Sequence, residues 1–559
     1  MNLFIKILSS VLAFIMFLLS SLCGFFRGMS TAQIAVDLND KGEKVVNIVD
    51  NMNTWDMGTQ FVNAENNSEN DVFNFVDYIQ LMQCTGGTAE RDLFKNPYDT
   101  SVLTDYDFSR LIENCRGILK LGAKPYLTLG SVPLKFTSDY TFGGFLMNLY
   151  PPDDYKNYYN YIYAIASALV NEFGKDEVLK WRFGCMTEYE NDDWFIAKGG
   201  DPQESAQAYC KLYDYTVQAL TDAIGSDVFV GAHSMTVTQG LWDEEIFIKH
   251  VAEGKNYANG GTGTRICFLS ASFYDMKPGQ FTSGNTLPQT INYLKDCAQK
   301  YGLNNLIYGI DEGRILSGNS RGNNSGDLIS RTVGFTWQAA YDARIYLQAI
   351  DSGANYFSSW SYLSGGIING YPTVSYHVAN NISKFAGCSK VKTNVRTAKI
   401  SKGTEIKALS AVDEDKNILR IMVYNFNNDP NYSKKAQANI TVSLPKVYSN
   451  GEEIKYTKYV VNDDCNFFDE WQADRKKYGI TDSCFSWSPD DPTLDSTDTL
   501  SDSSARKIYE TELRDKYAEC SKLTPIDGEV KIKHGKIKIS DKLDASAVVF
   551  YEIQLPSGK

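Results

Sequence analysis

Between about residue 40 and residue 390, short apolar runs alternate with longer amphipathic ones, and this alternation constrains the chain more than any other feature. The apolar runs cover 45–49, 78–84, 124–129, 180–186, 227–232, 265–270, 306–310 and 355–360. Stretches such as 108–121, 158–173, 205–223, 289–301 and 332–350 lie between them and carry apolar residues at three- and four-residue spacing, the period of an amphipathic helix. A strand buried on both faces reads as a nearly continuous apolar run, and parallel neighbours need a crossover helix. Eight such units predict a (β/α)8 TIM barrel of the α/β class over residues 36–390.

Beyond residue 390 the pattern changes. Runs at 418–424, 438–444, 530–539 and 547–555 read as strands, and Asn427-Asn428-Asp429-Pro430 marks a turn. A C-terminal β-sandwich-like accessory domain over 391–559 is expected, packed on the barrel and joined by an N-terminal strand, and interrupted by a polar segment at 463–504 and a helix-like run at 505–518. The Gly-, Asn- and Ser-rich segment 317–325 reads as a loop after the seventh strand.

The N-terminus carries Lys6, an apolar-rich run from Ile7 to Phe26, Arg27 and then Ser30-Thr31-Ala32, small residues that suit a signal peptidase. Residues 1–32 therefore read as a signal peptide or an uncleaved signal anchor, which makes the protein secreted or cell-surface, with membrane attachment in the second case. Of the ten cysteines after Cys23, only Cys465 and Cys484 suggest a disulfide. The others fall largely in apolar runs that suit buried thiols.

The 559 residues are 43% hydrophobic and 22% charged, as in globular proteins, which excludes disorder and coiled coil. Lys and Arg number 55 against 68 Asp and Glu, and a net charge of −13 disfavours nucleic acid as a partner. Aromatics reach 13%, with 35 tyrosines, and suit the flat apolar faces of sugar rings as well as cores. Only four histidines occur, with no CxxC and no HExxH, so no metal and no cofactor are expected.

In barrels of this kind, functional groups sit at the C-terminal ends of strands. The fourth strand runs Lys-Trp-Arg-Phe-Gly-Cys-Met-Thr-Glu-Tyr-Glu-Asn, placing Glu188 just past its end, and the seventh runs Leu-Ile-Tyr-Gly-Ile-Asp-Glu-Gly-Arg, placing Glu312 equivalently. Two carboxyls across a cleft can cleave a glycosidic bond, one protonating the leaving oxygen while the other attacks the anomeric carbon. Asp311 and Glu190 compete for these roles on pattern alone.

These residues and their neighbours resemble glycoside hydrolase family 39, the family of β-xylosidases and α-L-iduronidases. Tyr106-Asp107-Phe108-Ser109 and the run Gly122 to Gly130 with Pro133 are similar to the family's second helix and third strand. Trp181 to Asn191 with Trp194, Tyr209, Leu212 and Tyr213 resembles its acid/base strand and following helix. Val230-Gly231-Ala232, Phe268 to Tyr274, Ile310-Asp311-Glu312, Val460 to Trp471 and Ser546 to Leu555 extend the likeness to the end of the chain. The resemblance implies a retaining hydrolase with Glu188 as acid/base and Glu312 as nucleophile, acting on an oligosaccharide or polysaccharide substrate and cleaving a β-xyloside-like bond.

Two departures stand out. The family's acid/base Glu usually follows an Asn that binds the sugar 2-hydroxyl, and here Thr187 precedes Glu188. The sixth-strand pattern Ser-x-His-x-Tyr appears as Ser270-Ala271-Ser272-Phe273-Tyr274, with Ser272 in place of His. Thr187, Ser272, Tyr274 (toward the nucleophile) and Trp360 (as a stacking platform) are the expected substrate-binding residues. Trp194 and Tyr189 read as loop packing and His233 as a hydrogen-bonded structural residue, while Arg91 or Arg314 is the available cation for an acidic sugar. An endo-acting hydrolase on the same fold and a carbohydrate-binding pseudoenzyme remain as alternatives.

Overall fold

The computed structural model describes residues 29–57, 75–237, 240–277, 280–281, 285–315, 336–359, 367–368, 371–484 and 500–556. The expected loop at 317–325 and the export segment 1–28 lie outside them.

Strands Asn51–Asp56, Tyr78–Gln83, Lys124–Leu129, Arg182–Cys185, Val230–Met235, Phe268–Lys277, Ile307–Ile315 and Tyr356–Ser359 pair in parallel in chain order. The Phe357 amide donates to the Ile48 carbonyl at 2.7 Å, tying the eighth strand to the chain that enters the first. Helices Ser109–Lys120, Tyr155–Phe173, Pro202–Ile224, Glu244–Glu253, Leu287–Lys300, Trp337–Asp351 and Val374–Ser383 surround this barrel. Their starts carry local signals: the Asp201 carboxylate accepts from the Gln203 and Glu204 amides ahead of a first-turn Pro202, and Thr286 and Gln289 form a capping box.

The first strand differs from expectation. Residues 45–49 are not a strand; Val45, Ile48 and Val49 are buried in the core, and the strand is Asn51–Asp56. The reason is that the barrel interior at this strand is polar. Asn51 accepts from Arg182 Nη1 at 3.0 Å, and Asn53 Nδ2 donates to the Asp311 carbonyl at 2.9 Å, so apolarity is a poor guide to it. The sixth and seventh strands run longer than expected, to Lys277 and Ile315, so Ser272 and Glu312 lie within paired strands.

The second domain is one nine-stranded path in the order Ile526–Lys531, Glu453–Val461, Val548–Gln554, Ile418–Asn427, Thr404–Asp413, Ser389–Ala398, Ser30–Lys44, Ala436–Ser443 and Lys536–Leu543. Ile34, Leu419, Ile440, Ile454, Ile537 and Ile553, from six of its strands, share one core, so the sheet folds over itself instead of forming two separate sheets. Ser30–Lys44, divided by the expected boundary at 36, is an interior strand, antiparallel to Ser389–Ala398 and parallel to Ala436–Ser443. Ser30-Thr31-Ala32 begin it, and Ala32 is fully buried. The expected strand at 530–539 is divided between Ile526–Lys531 and Lys536–Leu543, which lie at opposite ends of that path and are joined by a tight turn with His534 and Gly535 at φ 53° and 67°.

The outer face of Ile418–Asn427 packs on the barrel. Trp337 Nε1 donates to the Asn427 carbonyl at 2.8 Å, and its ring lies 5.5 Å from that of Phe426. Phe467, Trp471, Leu500, Tyr509, Leu513 and Tyr517 form a separate small core between the strands ending at Val461 and starting at Ile526. Cys465 and Cys484 are both free thiols and not a disulfide: Cys465 is buried with the barrel core, whereas Cys484 packs against this smaller cluster.

Candidate active site

The chain leaves the fourth strand through two left-handed, non-glycine residues, Met186 (φ 57°) and Glu188 (φ 41°). Such conformations are costly for residues with a Cβ and persist where surrounding bonds impose them. The Met186 amide donates to the Leu129 carbonyl at 2.8 Å and the Glu188 amide to the Ser234 carbonyl at 3.0 Å, so the third and fifth strands pin the segment from both sides. Gly130, at φ 145°, makes room for it; a Cβ there would stand 2.5 Å from Met186 Cγ.

The partly buried Glu188 carboxyl receives Trp194 Nε1 at 3.0 Å and Asn191 Nδ2 at 3.2 Å, both on Oε2, and is hydrogen-bonded by the Ser272 hydroxyl. Desolvation pushes its pKa above the ordinary Glu value, against the lowering effect of those three donors. The Ser272 hydroxyl is itself 2.8 Å from Ser234 Oγ. A hydroxyl donates to a carboxylate and accepts from a carboxylic acid, so this pair serves Glu188 in either protonation state.

A bulge sets the surroundings of Glu312. Ala271 pairs with Ile310 and Ser272 with Glu312, leaving Asp311 as an extra residue on the seventh strand. Consecutive carboxylates thereby take different surroundings. Asp311 is fully buried in the barrel, where it accepts from Tyr126 Oη at 3.0 Å, the Ser234 amide at 3.2 Å and Ser270 Oγ. Glu312 is 7% exposed and accepts from Tyr274 Oη at 2.8 Å.

All three of these cross-barrel donors reach Asp311 Oδ2. Glu190 is fully buried, accepts from the amide and hydroxyl of Thr236, and has its pKa raised by desolvation and by Glu244. Both competitors are fully buried, whereas Glu188 is partly exposed. His233 is buried with its pKa lowered by desolvation, and its Nε2 lies 2.6 Å from the Gln80 amide nitrogen, which donates to it when the neutral ring carries its proton on Nδ1.

Thr187 is 2% exposed, and its hydroxyl has no hydrogen-bond partner among the described residues. Tyr189 stacks on Tyr209 at 3.7 Å and 3° as core packing. Trp194, read from sequence as loop packing, instead touches Glu188 directly, and with Met82, Met147 and Tyr274 forms a buried cluster beside the carboxyls. Arg91 Nη1 approaches Met147 Sδ of that cluster at 3.4 Å. Trp360 and the Arg314 side chain lie outside the described residues. Ser234 and Asn191 were not legible as site residues: Asn191 bears only the weak signal of standing three residues after Glu188, and Ser234 that of standing two residues past the run 227–232 expected as the fifth strand.

The model of the family described as Glycosyl hydrolases family 39 matches residues 92–443, a span holding both carboxyls and their partners. The chain belongs to glycoside hydrolase family 39. A β-xylosidase of Caldicellulosiruptor saccharolyticus is 30% identical over 169 residues, 30% of this chain and 31% of that protein, so the match spans about a third of the relative. Two structures share the fold across nearly all of both chains. The family 39 enzyme from Xanthomonas axonopodis pv. citri has a TM-score of 0.65 at 16% identity, covering 94% of this chain and 97% of its own. A monomeric β-xylosidase from Caulobacter crescentus CB15 has a TM-score of 0.63 at 15% identity, covering 94% and 100%. At these identities the likeness is one of family 39 architecture, a parallel eight-stranded barrel with a second mixed β domain.

Proposed function

We propose that the protein is an exported, retaining exo-glycosidase that cleaves a β-xyloside-like bond by double displacement. The observation that carries this reading is the unequal surroundings of the two carboxyls. Burial raises the pKa of Glu188 while leaving it beside hydroxyl, amide and indole donors, which suits a group that must give and take a proton. Glu312 is held by the Tyr274 hydroxyl, which orients a carboxylate for attack.

In the first step the Glu312 carboxylate attacks the anomeric carbon, the bond to the leaving oxygen breaks, and Glu188 gives that oxygen its proton. In the second, the Glu188 carboxylate takes a proton from water, whose oxygen attacks the same carbon and releases Glu312. Two inversions restore the starting configuration. The Thr187 hydroxyl, buried and lacking a partner among the described residues, is available to a sugar hydroxyl where relatives of the resembled type use Asn. Export rests on the Ile7 to Phe26 run, and the β-xyloside preference on the similarity to β-xylosidases.

Glu188→Ala should retain turnover of a dinitrophenyl xyloside, whose leaving group needs no proton, and lose turnover of methyl or sugar xylosides. Glu312→Gln should lose both. Equal loss on both substrates in the two variants would overturn the assignment of Glu188.

A further inference from the structure

Beyond the third strand, residues 141–149 form a hairpin: Phe142 bridges to Asn148, the Leu149 amide donates to Thr141 at 2.9 Å, and the Gly143 amide donates to Met147 at 3.1 Å. The hairpin is fastened to the acid's own loop. The Ile196 amide donates to Leu149 at 2.9 Å and the Gly144 amide to Asp193 Oδ1 at 3.4 Å; Gly143 lies so close that a Cβ would stand 2.4 Å from the Asp193 carbonyl oxygen. Its tip carries Phe145, whose ring stacks on Trp194 with centroids 4.4 Å apart and planes at 12°. Trp194 in turn donates to Glu188.

This tip is apolar and open to solvent. Phe145 is 44% exposed and Leu146 71%; Phe142 (47%), in the hairpin's first arm, and Tyr140 (42%), just before it, are exposed as well, with their rings 5.4 Å apart. Exposing four neighbouring large apolar side chains does nothing for folding and marks a surface that another molecule covers. Position selects the molecule. An acid that protonates the glycosidic oxygen stands at the boundary between the cleaved sugar and the leaving group, so a surface reached from Glu188 through Trp194 lies where a leaving group extends. Its chemistry selects the class: flat, uncharged rings match the C–H face of a neutral pyranose.

We propose that Phe145, seated on Trp194 and flanked by Leu146, is the floor of a leaving-group subsite for a pyranose of a neutral oligosaccharide. The proposal deepens the reading of Glu188 as acid/base and rests on it. It places the natural substrate among oligosaccharides of two or more sugars, with the chain running from the barrel mouth along the hairpin.

The test compares Phe145→Ala and Phe145→Trp, with Tyr163→Ala on the outer face of helix Tyr155–Phe173 as the control for loss of an exposed aromatic. Each is made in the full-length protein carrying Glu312→Gln, and binding of xylotetraose, cellotetraose and laminaritetraose is measured by calorimetry. Loss of one ring stack should weaken the tightest-bound tetraose about tenfold in Phe145→Ala, with recovery in Phe145→Trp and no change in Tyr163→Ala. In the enzyme with Glu312 intact, Phe145→Ala should lose more kcat/KM on that oligosaccharide than on the matching glycosyl fluoride, which has no leaving-group sugar. Unchanged binding in Phe145→Ala, or no binding of any tetraose, overturns the proposal. Turnover persisting in Glu312→Gln would instead overturn the carboxylate roles while the binding comparison still decides the subsite.

Discussion

Replacing Trp194 with Phe removes one N–H from Glu188 and keeps an aromatic ring under Phe145. The indole donates to Oε2 at 3.0 Å and can only donate, so it favours the carboxylate over the acid. A hydrogen bond to a charged group contributes about 1.5–3 kcal/mol, equivalent to about one to two pKa units. Glu188 is partly exposed, so water replaces part of the lost bond, and a rise of about one unit is expected. The direction follows from the sign: burial already holds the group above the ordinary Glu value, and losing a donor moves it further up. The assay is the pH dependence of kcat/KM on a substrate that needs a proton, where the high-pH limb reports the acid in the free enzyme. That limb should move to higher pH while the low-pH limb, set by the nucleophile, stays. A high-pH limb that does not move, or moves down, in a variant with unchanged thermal midpoint would refute the account of how Glu188 is tuned.

Tyr274→Phe removes the hydroxyl on Glu312 Oε1 and should lower kcat about ten- to a hundredfold, read with a dinitrophenyl glycoside so that acid catalysis is not involved. Gly130→Ala should cost most of the activity and reduce stability, because its Cβ meets Met186 Cγ two residues before the acid; activity near wild type would show that the Met186 turn does not set Glu188. Asp50, beside Arg182, is pushed up to about 7 by burial, so it binds its proton more tightly folded than unfolded. The stability this contributes is fully present below about pH 4 and is lost as pH rises through about 7; Asp50→Asn should flatten that fall in urea denaturation, and an identical pH profile in both proteins would contradict it. Thr187→Asn with Ser272→His should raise kcat on β-xylosides if xylose is the sugar held, whereas good wild-type turnover of another sugar with no gain in the variant would point to a rebuilt site.

Most of the barrel was legible because its strands are buried on both faces and read as apolar runs. The first strand was not, since Asn51 and Asn53 turn their amides to partners on strands four and seven that only the closed barrel supplies. An N-terminal strand joining the second sheet was expected, but its bounds and register in Ser30–Lys44 are set by partners at least 345 positions away (Lys44 to Ser389). The placement of Glu188 just past the fourth strand and of Glu312 on the seventh was legible, but the bulge that gives Asp311 and Glu312 different surroundings is a matter of register between strands six and seven, invisible in either strand alone. Ser234 and Ser272 meet across 38 positions. Nor does any local pattern say that Phe145 lands on Trp194, because that contact is made by a hairpin clamped onto the next loop.

Double displacement requires Glu312 to become covalently bonded to the cleaved sugar. A 2-deoxy-2-fluoro-β-xylosyl fluoride, which forms the ester quickly and loses it slowly, should inactivate the enzyme with one sugar bound per chain, and peptide mass spectrometry should place that sugar on Glu312. Label on Glu188 or Asp311, or turnover of the parent xylosyl fluoride without any label being trapped, would contradict it.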